Sequence, residues 1–177
     1  KSAQMTEIIL KAREQKDSVG GVLETAVLGV SAGLGEPWFD SMEGLLSHML
    51  FSIPAVKGVE FGAGFDLVNH FGSEFNDAFY TDETGRIRTR TNHNGGINGG
   101  ITNGMPMVFR TAVKPTPSIE KQQETADFLK KEDREIEIRG RHDAAIIHRA
   151  AVVQTCASAL VIADCLTGRF GTDYLSD

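Results

Sequence analysis

The sequence predicts an α+β fold. Three observations carry that expectation. Helical and strand-like periodicities alternate irregularly along the chain, without the regular strand–helix–strand rhythm of a parallel sheet. Amphipathic stretches near residues 1–16 and 40–50 contrast with an almost continuously apolar stretch at 144–166. No repeat, low-complexity tract or composition shift marks a boundary, so residues 1–177 read as a single domain.

Residues 1–16 place Met5, Ile8, Ile9 and Ala12 at helical spacing opposite charged side chains, and the helix begins abruptly. Residues 18–30, "SVGGVLETAVLGV", read as a strand with a glycine-marked bend. Asp40 and Glu43 form a capping pair ahead of Met42, Leu45, Leu46, Met49 and Leu50, a second amphipathic helix. "AVKGVEFGAGF" is a short strand and turn. In "FYTDETGRIRTRTN" the residues 82–85 supply a hairpin turn, and Arg86, Arg88 and Arg90 share one face of the second strand. That face reads as a solvated edge-strand face that discourages aggregation. A strand spans residues 107–113. Residues 122–139 form a strand pair, or one strand after a mobile loop. Residues 144–166 are a buried helix or a broken pair of helices, with Gly168 as the stop.

At 177 residues, 41% hydrophobic and 24% charged, the chain has an ordinary globular composition. A formal net charge of −6 argues against nonspecific nucleic-acid binding, which needs a positive field. No apolar run of the ~20 residues that span a bilayer is expected, and no signal peptide. Cys156 and Cys165 fall nine positions apart on one helix, ~13 Å of rise, too far for a disulfide. Two unpaired thiols, read as packing residues, fit a reducing cytoplasm. The histidines show no zinc-like grouping, and no metal site is expected.

Three segments carry candidate chemistry. "NGGINGGITNG" matches neither the dinucleotide fingerprint nor the phosphate-binding loop. Its glycines either let strands approach closely or leave bare backbone for a planar or anionic ligand. In "KPTPS", two prolines stiffen a frame from which Lys114, Thr116 and Ser118 project, either as a polar turn or as a phosphate clamp. In "GRHDAA", Asp143 is either a helix cap or a proton-handling carboxylate beside the anion-binding Arg141.

These segments, in this order and preceded by "SVGGVLE", "GLGEPWFD", "SIPAVKGVEFG" and "GSEFND", closely resemble the chorismate synthase family. The resemblance runs from about Lys16 to about Leu166 and covers the C-terminal half or so of the family's chain. It implies a layered β-α-β sandwich and a homotetramer with FMN near subunit contacts. It also implies 1,4-anti elimination of phosphate from 5-enolpyruvylshikimate 3-phosphate, giving chorismate in aromatic amino acid biosynthesis. Reduced FMN is required without net redox change, and its supply links the family to NADP. The family's acid–base histidines and substrate-gripping arginines lie in an N-terminal segment that this chain does not contain, so the chain alone is expected to be inactive.

Carried over residue by residue, the resemblance implies flavin contacts at Gly99, at Lys114, Pro115, Thr116, Pro117 and Ser118, and at Pro54 and Ala55. Arg141 matches an arginine contacting flavin and substrate, and Asp143 an aspartate relaying the substrate proton. The chain departs from the family at "GRHDAA" for "GRHDPC", "HRAAVV" for "PRAVPV" and "NHNGGINGG" for "NHAGGILGG". Two other readings remain: a noncatalytic flavin- or phosphate-binding domain, and an oligomerisation module built on the apolar C-terminal helix.

Overall fold

In the computed structural model, residues 1–140 and 142–172 are described. The fold is α+β. Its centre is an antiparallel three-stranded sheet in the order β1 (Gly21–Val27), β7 (Met107–Val113), β2 (Val56–Phe61). Register runs from Gly21 opposite Val113 to Val27 opposite Met107, and a bulge at Val56/Gly58 interrupts the other edge. Alternation sends Met107, Phe109, Thr111 and Val113 to one face of the middle strand, where all four are buried. Two helices cover that face: α2 (Met42–Ser52), which buries Met42, Leu46 and Leu50, and α4 (Ile147–Phe170).

The remaining elements are small. They are α1 (Ser2–Glu14), a 3₁₀ turn at Gly64–Asn69, the single turn α3 (Gly72–Phe75), and three hairpins. The hairpins pair β3 (Phe79–Thr81) with β4 (Ile87–Thr89), β5 (Ile97–Asn98) with β6 (Ile101–Thr102), and β8 (Gln122–Asp127) with β9 (Glu132–Glu137). Residues 122–139 therefore form a strand pair, and β9 is exposed along its whole length.

Several sequence expectations are corrected. The cap of α2 is Ser41, whose hydroxyl accepts the Gly44 N–H at 3.0 Å, one residue beyond the expected Asp40. The last helix is continuous and runs through Gly168, ending at Gly171 with φ 85°. Burial of seven residues between Ile147 and Ile162 holds a helix in which one interior glycine costs only roughly 1 kcal/mol. That helix is also long and apolar enough by composition to cross a membrane, with mean hydropathy 1.6, against the expectation of no such run. Seven of its residues nevertheless pack into the core. Cys156 is exposed rather than packed inside, whereas burial pushes the Cys165 thiol up.

The helix α4 is tied to the sheet by a buried polar bridge. Gln154, on its inner face, accepts the Thr111 hydroxyl at 2.5 Å and donates to the Thr25 hydroxyl at 2.8 Å. Its outer face leaves Val152, Val153 and Leu160 exposed.

Candidate functional site

The candidate residues gather at one end of the sheet. At the end of β7 the Lys114 N–H donates to the Ala55 carbonyl at 2.9 Å, joining two expected flavin segments. Pro54 and Ala55 are the corner of a turn closed by the Val56 N–H on the Ile53 carbonyl at 3.2 Å. Ala55 sits at φ 74°, a conformation that costs a non-glycine residue about 1 kcal/mol or more. Strain of this kind concentrates at functional sites.

Two further hydrogen bonds complete the cluster. The Ser18 hydroxyl donates to the Thr116 carbonyl at 2.6 Å, and the Val19 N–H to the Ala144 carbonyl at 2.8 Å. The chain beside Asp143 therefore lies one strand away from the segment Lys114, Pro115, Thr116, Pro117 and Ser118. Gly20 explains the closeness: a Cβ there would lie 2.3 Å from the Val113 carbonyl oxygen. An adjoining cleft of about 350 Å³ is lined by Lys16, Asp17, Ile119, Glu120, His142 and Ala144, among others. Lys121 lies 2.6 Å from Asp17, and together with the Ser18 N–H it holds that carboxyl below its ordinary range.

The polar inventory suits an anionic ligand. Lys114 is exposed and makes no ion pair with a described residue. The Thr116 hydroxyl and His142 Nε2 are buried atoms without a hydrogen-bond partner among the described residues. A buried polar atom left unpaired costs about 1–3 kcal/mol, so each is a natural point for a ligand atom. Asp143 lies 2.9 Å from Arg149 Nη1, in the first turn of α4, and does not cap the helix; the position before the first turn is Ile146. Arg141 lies outside the described residues. Among those described, no three His, Cys, Asp or Glu side chains come together as a metal centre.

Gly99 stands elsewhere. It lies with Gly100 in the two-residue turn of the β5–β6 hairpin, at φ 58° and 87°, the geometry of a primed turn. That hairpin meets the start of α2, where the Met42 N–H donates to the Gly100 carbonyl at 2.9 Å. The six residue steps of β7 put it on the order of 20 Å from Lys114. The structure thus joins Pro54 and Ala55 to the 114–118 segment, places Ala144, next to Asp143, one strand away through Ser18 and Val19, and leaves Gly99 at the other end of the sheet.

The glycines divide by role. A Cβ on Gly95 would meet Gly62 N at 2.5 Å and Val108 O at 2.6 Å, one on Gly96 would meet Pro106 O at 2.5 Å, and one on Gly100 would meet Glu36 O at 2.5 Å. Close packing within the chain accounts for those three. Gly99 alone of the four faces open space within 4 Å. Two of the three arginines around β4 serve their own hairpin: Arg88 pairs with Asp82 at 2.8 Å and Arg90 lies over the Tyr80 ring at 5.1 Å. Sequence reasoning does not single out Asp77 or Thr102, which hold the two ends of the glycine segment. Only a buried carboxylate in "GSEFND" and a threonine ending a glycine run hint at them.

The profile of the family described as chorismate synthase matches residues 1–167. The chain belongs to the chorismate synthase family. Among similar chorismate synthases, that of Methanothermobacter thermautotrophicus is 50% identical over 161 residues, covering 91% of this chain and 43% of the relative. That of Methanocaldococcus jannaschii is 51% identical over 161 residues, with the same coverage of 91% and 43%. A solved chorismate synthase crystal structure superposes with TM-score 0.78 at 31% identity, over 98% of this chain and 45% of that one. The chain thus spans less than half the length of the chorismate synthases it matches.

Proposed function

We propose that the protein at its full natural length is a chorismate synthase, eliminating phosphate from 5-enolpyruvylshikimate 3-phosphate in a 1,4-anti sense to give chorismate. The observation that carries this reading is the convergence of Ala55, residues 114–118 and the Asp143–Ala144 corner through three short hydrogen bonds. Family membership supports the reaction class.

Reduced FMN, when bound, would supply electron density reversibly, with no net redox change. This chain's residues would do the rest. Lys114, with the Thr116 and Ser118 hydroxyls on a proline-stiffened frame, would hold anionic and polar atoms of the cofactor. The unpaired Thr116 hydroxyl fits that role. Pro54 and Ala55 would present a fixed backbone edge. Asp143, oriented by Arg149, would relay the proton lost from substrate C6 as the C–O bond to phosphate breaks. Arg141 would bind flavin and substrate, as in the family. Gly99 stands roughly 20 Å from this cluster. It therefore serves the far end of the same flavin, or a flavin shared between copies of a homotetramer. The exposed Val152, Val153 and Leu160 on α4 supply an apolar face for such an assembly. A cytoplasmic location fits two unpaired thiols.

The test is chorismate formation by the protein at its full natural length, supplied with photoreduced FMN and 5-enolpyruvylshikimate 3-phosphate. Turnover supports the reading. Flavin binding without turnover would instead make this a noncatalytic flavin-binding domain.

A further inference from the structure

The buried carboxylate of Asp77 is spent entirely on the segment that leads into the glycine hairpin. Its side chain is 1% exposed. Oδ1 accepts the Thr91 hydroxyl at 2.7 Å and the His93 N–H at 2.8 Å. Oδ2 accepts both the Asn94 N–H and the Asn94 side-chain amide, each at 2.9 Å. The His93 ring is fixed in turn, with Nδ1 3.1 Å from the Phe75 carbonyl and the ring centroid 4.4 Å from that of Phe75. Four hydrogen bonds on one ionised group are charge-assisted and directional, so residues 91–94 have one conformation rather than many.

The chain beyond residue 94 takes its path from this anchor. The His93 carbonyl accepts the Ala63 N–H at 2.8 Å, and Gly95 and Gly96 wedge against Val108 and Pro106. The hairpin exit is held separately: the Thr102 hydroxyl accepts the Leu34 N–H at 2.9 Å and donates to the Ser31 carbonyl at 2.8 Å. Between the two anchors Gly100 packs against Glu36 and Ser41, and Gly99 is the open position of the turn. An isolated two-residue-per-strand hairpin is marginally stable at best in water, so its geometry is set by its two ends together with the Gly100–Met42 contact.

We infer that Asp77 is a positioning residue for the ligand-facing glycine tip, acting on Gly99 through residues 91–94. This rests on the reading of Gly99 as a flavin contact. The alternative is that Asp77 stabilises the core generally, with no special bearing on the tip. The two differ in where the chain loosens when the charge is removed, and in whether flavin affinity follows.

The experiment compares wild type, Asp77→Asn and Gln154→Leu in the protein at its full natural length, by amide hydrogen exchange and by titration with FMN. Gln154→Leu is the control for general destabilisation, since it breaks a core bridge remote from the hairpin. The expected result is that Asp77→Asn speeds exchange of residues 97–102 at least tenfold while β7 amides stay within twofold of wild type. FMN affinity falls at least tenfold, and in the turnover assay the loss appears in KM for FMN rather than in kcat. Gln154→Leu leaves FMN affinity within twofold. Equal loosening of β7 and the hairpin, or selective loosening with unchanged FMN affinity, would overturn the assignment. Should wild type bind no FMN, the flavin reading fails, and with it the role assigned to Asp77.

Discussion

The Asp143 carboxylate meets the Arg149 guanidinium at 2.9 Å, while the helix whose first turn holds Arg149 has no side-chain cap. This removes helix capping as the reason for an aspartate at this position. The pair is exposed on both sides, at 43% and 78%, so its net contribution to stability is small, about 0–1 kcal/mol. Asp143→Asn is therefore expected to leave thermal unfolding nearly unchanged. As a general base its loss would cost about 10²–10⁴-fold in kcat, with FMN affinity retained. Steady-state turnover beside a melting curve checks both. Turnover within a few fold of wild type would end the proton-relay assignment.

Gly95 and Gly99 have similar backbone angles, φ 64° and 58°, but different surroundings. Alanine at 95 meets backbone at 2.5 Å and also takes a left-handed conformation, so Gly95→Ala is expected to cost about 3 kcal/mol or more. Gly99→Ala faces open space and should cost only the conformational penalty of about 1–2 kcal/mol. If Gly99 faces flavin as proposed, flavin affinity should nonetheless fall, because the added methyl would occupy the contact surface. Denaturant midpoints and flavin titration separate the two effects.

Helix α2, strand β7 and the existence of strands β1 and β2 are legible in the sequence, whereas the β5–β6 hairpin inside the glycine segment is not. Strand β7 falls where alternation places it, because Met107, Phe109, Thr111 and Val113 are all buried on one face. Family motifs likewise point to Lys114 and Ala55, which the fold then brings into contact. Other features are not legible, for physical reasons. Ser41 outcompetes Asp40 as a cap by a difference of one residue in the backbone path. Gly168 does not end α4, because one interior glycine costs only about 1 kcal/mol and Gly171, at φ 85°, supplies the positive-φ stop. Three of four glycines serve close approach inside the chain, which sequence cannot tell from ligand contact. The roles of Asp77 and Gln154 depend on partners 14 to 17 and 43 to 129 residues away, beyond any local pattern.

Gln154 offers a test of the helix–sheet bridge. Thr111 is fully buried and its hydroxyl donates to Gln154. Gln154→Leu leaves that hydroxyl unpaired and is expected to destabilise by about 1–3 kcal/mol. Adding Thr111→Val should recover part of the loss, since the buried hydroxyl is then gone and only the half-buried Thr25 hydroxyl has lost its partner. Urea unfolding with an unchanged m-value would measure it. A double variant as weak as the single one would contradict the bridge.

Asp77 links the hairpin to pH. Burial works to raise its pKa, and the bonds from Asn94, Thr91 and His93 outweigh it, so the native value lies below the ordinary aspartate value of about 3.9. A depressed native pKa contributes stability that is present in full above the unfolded value and lost as pH falls through the native one. The facing groups are Thr91, Asn94 and His93, whose ring Nδ1 is 3.8 Å from the carboxylate. Protection of residues 97–102 is thus expected to hold at neutral pH and fall in acid below the ordinary aspartate range. In Asp77→Asn that acid-dependent step should be missing.

The proposed activity requires the glycine tip and the Lys114 segment to hold a reduced flavin for a phosphate elimination. The decisive measurement is titration of the protein at its full natural length with FMN under reducing conditions. It is made with and without 5-enolpyruvylshikimate 3-phosphate and repeated on Lys114→Ala. The expected outcome is a saturable change in flavin fluorescence that tightens when substrate is present and weakens at least tenfold in the variant. No saturable change at high micromolar FMN, or equal binding by wild type and Lys114→Ala, would contradict it.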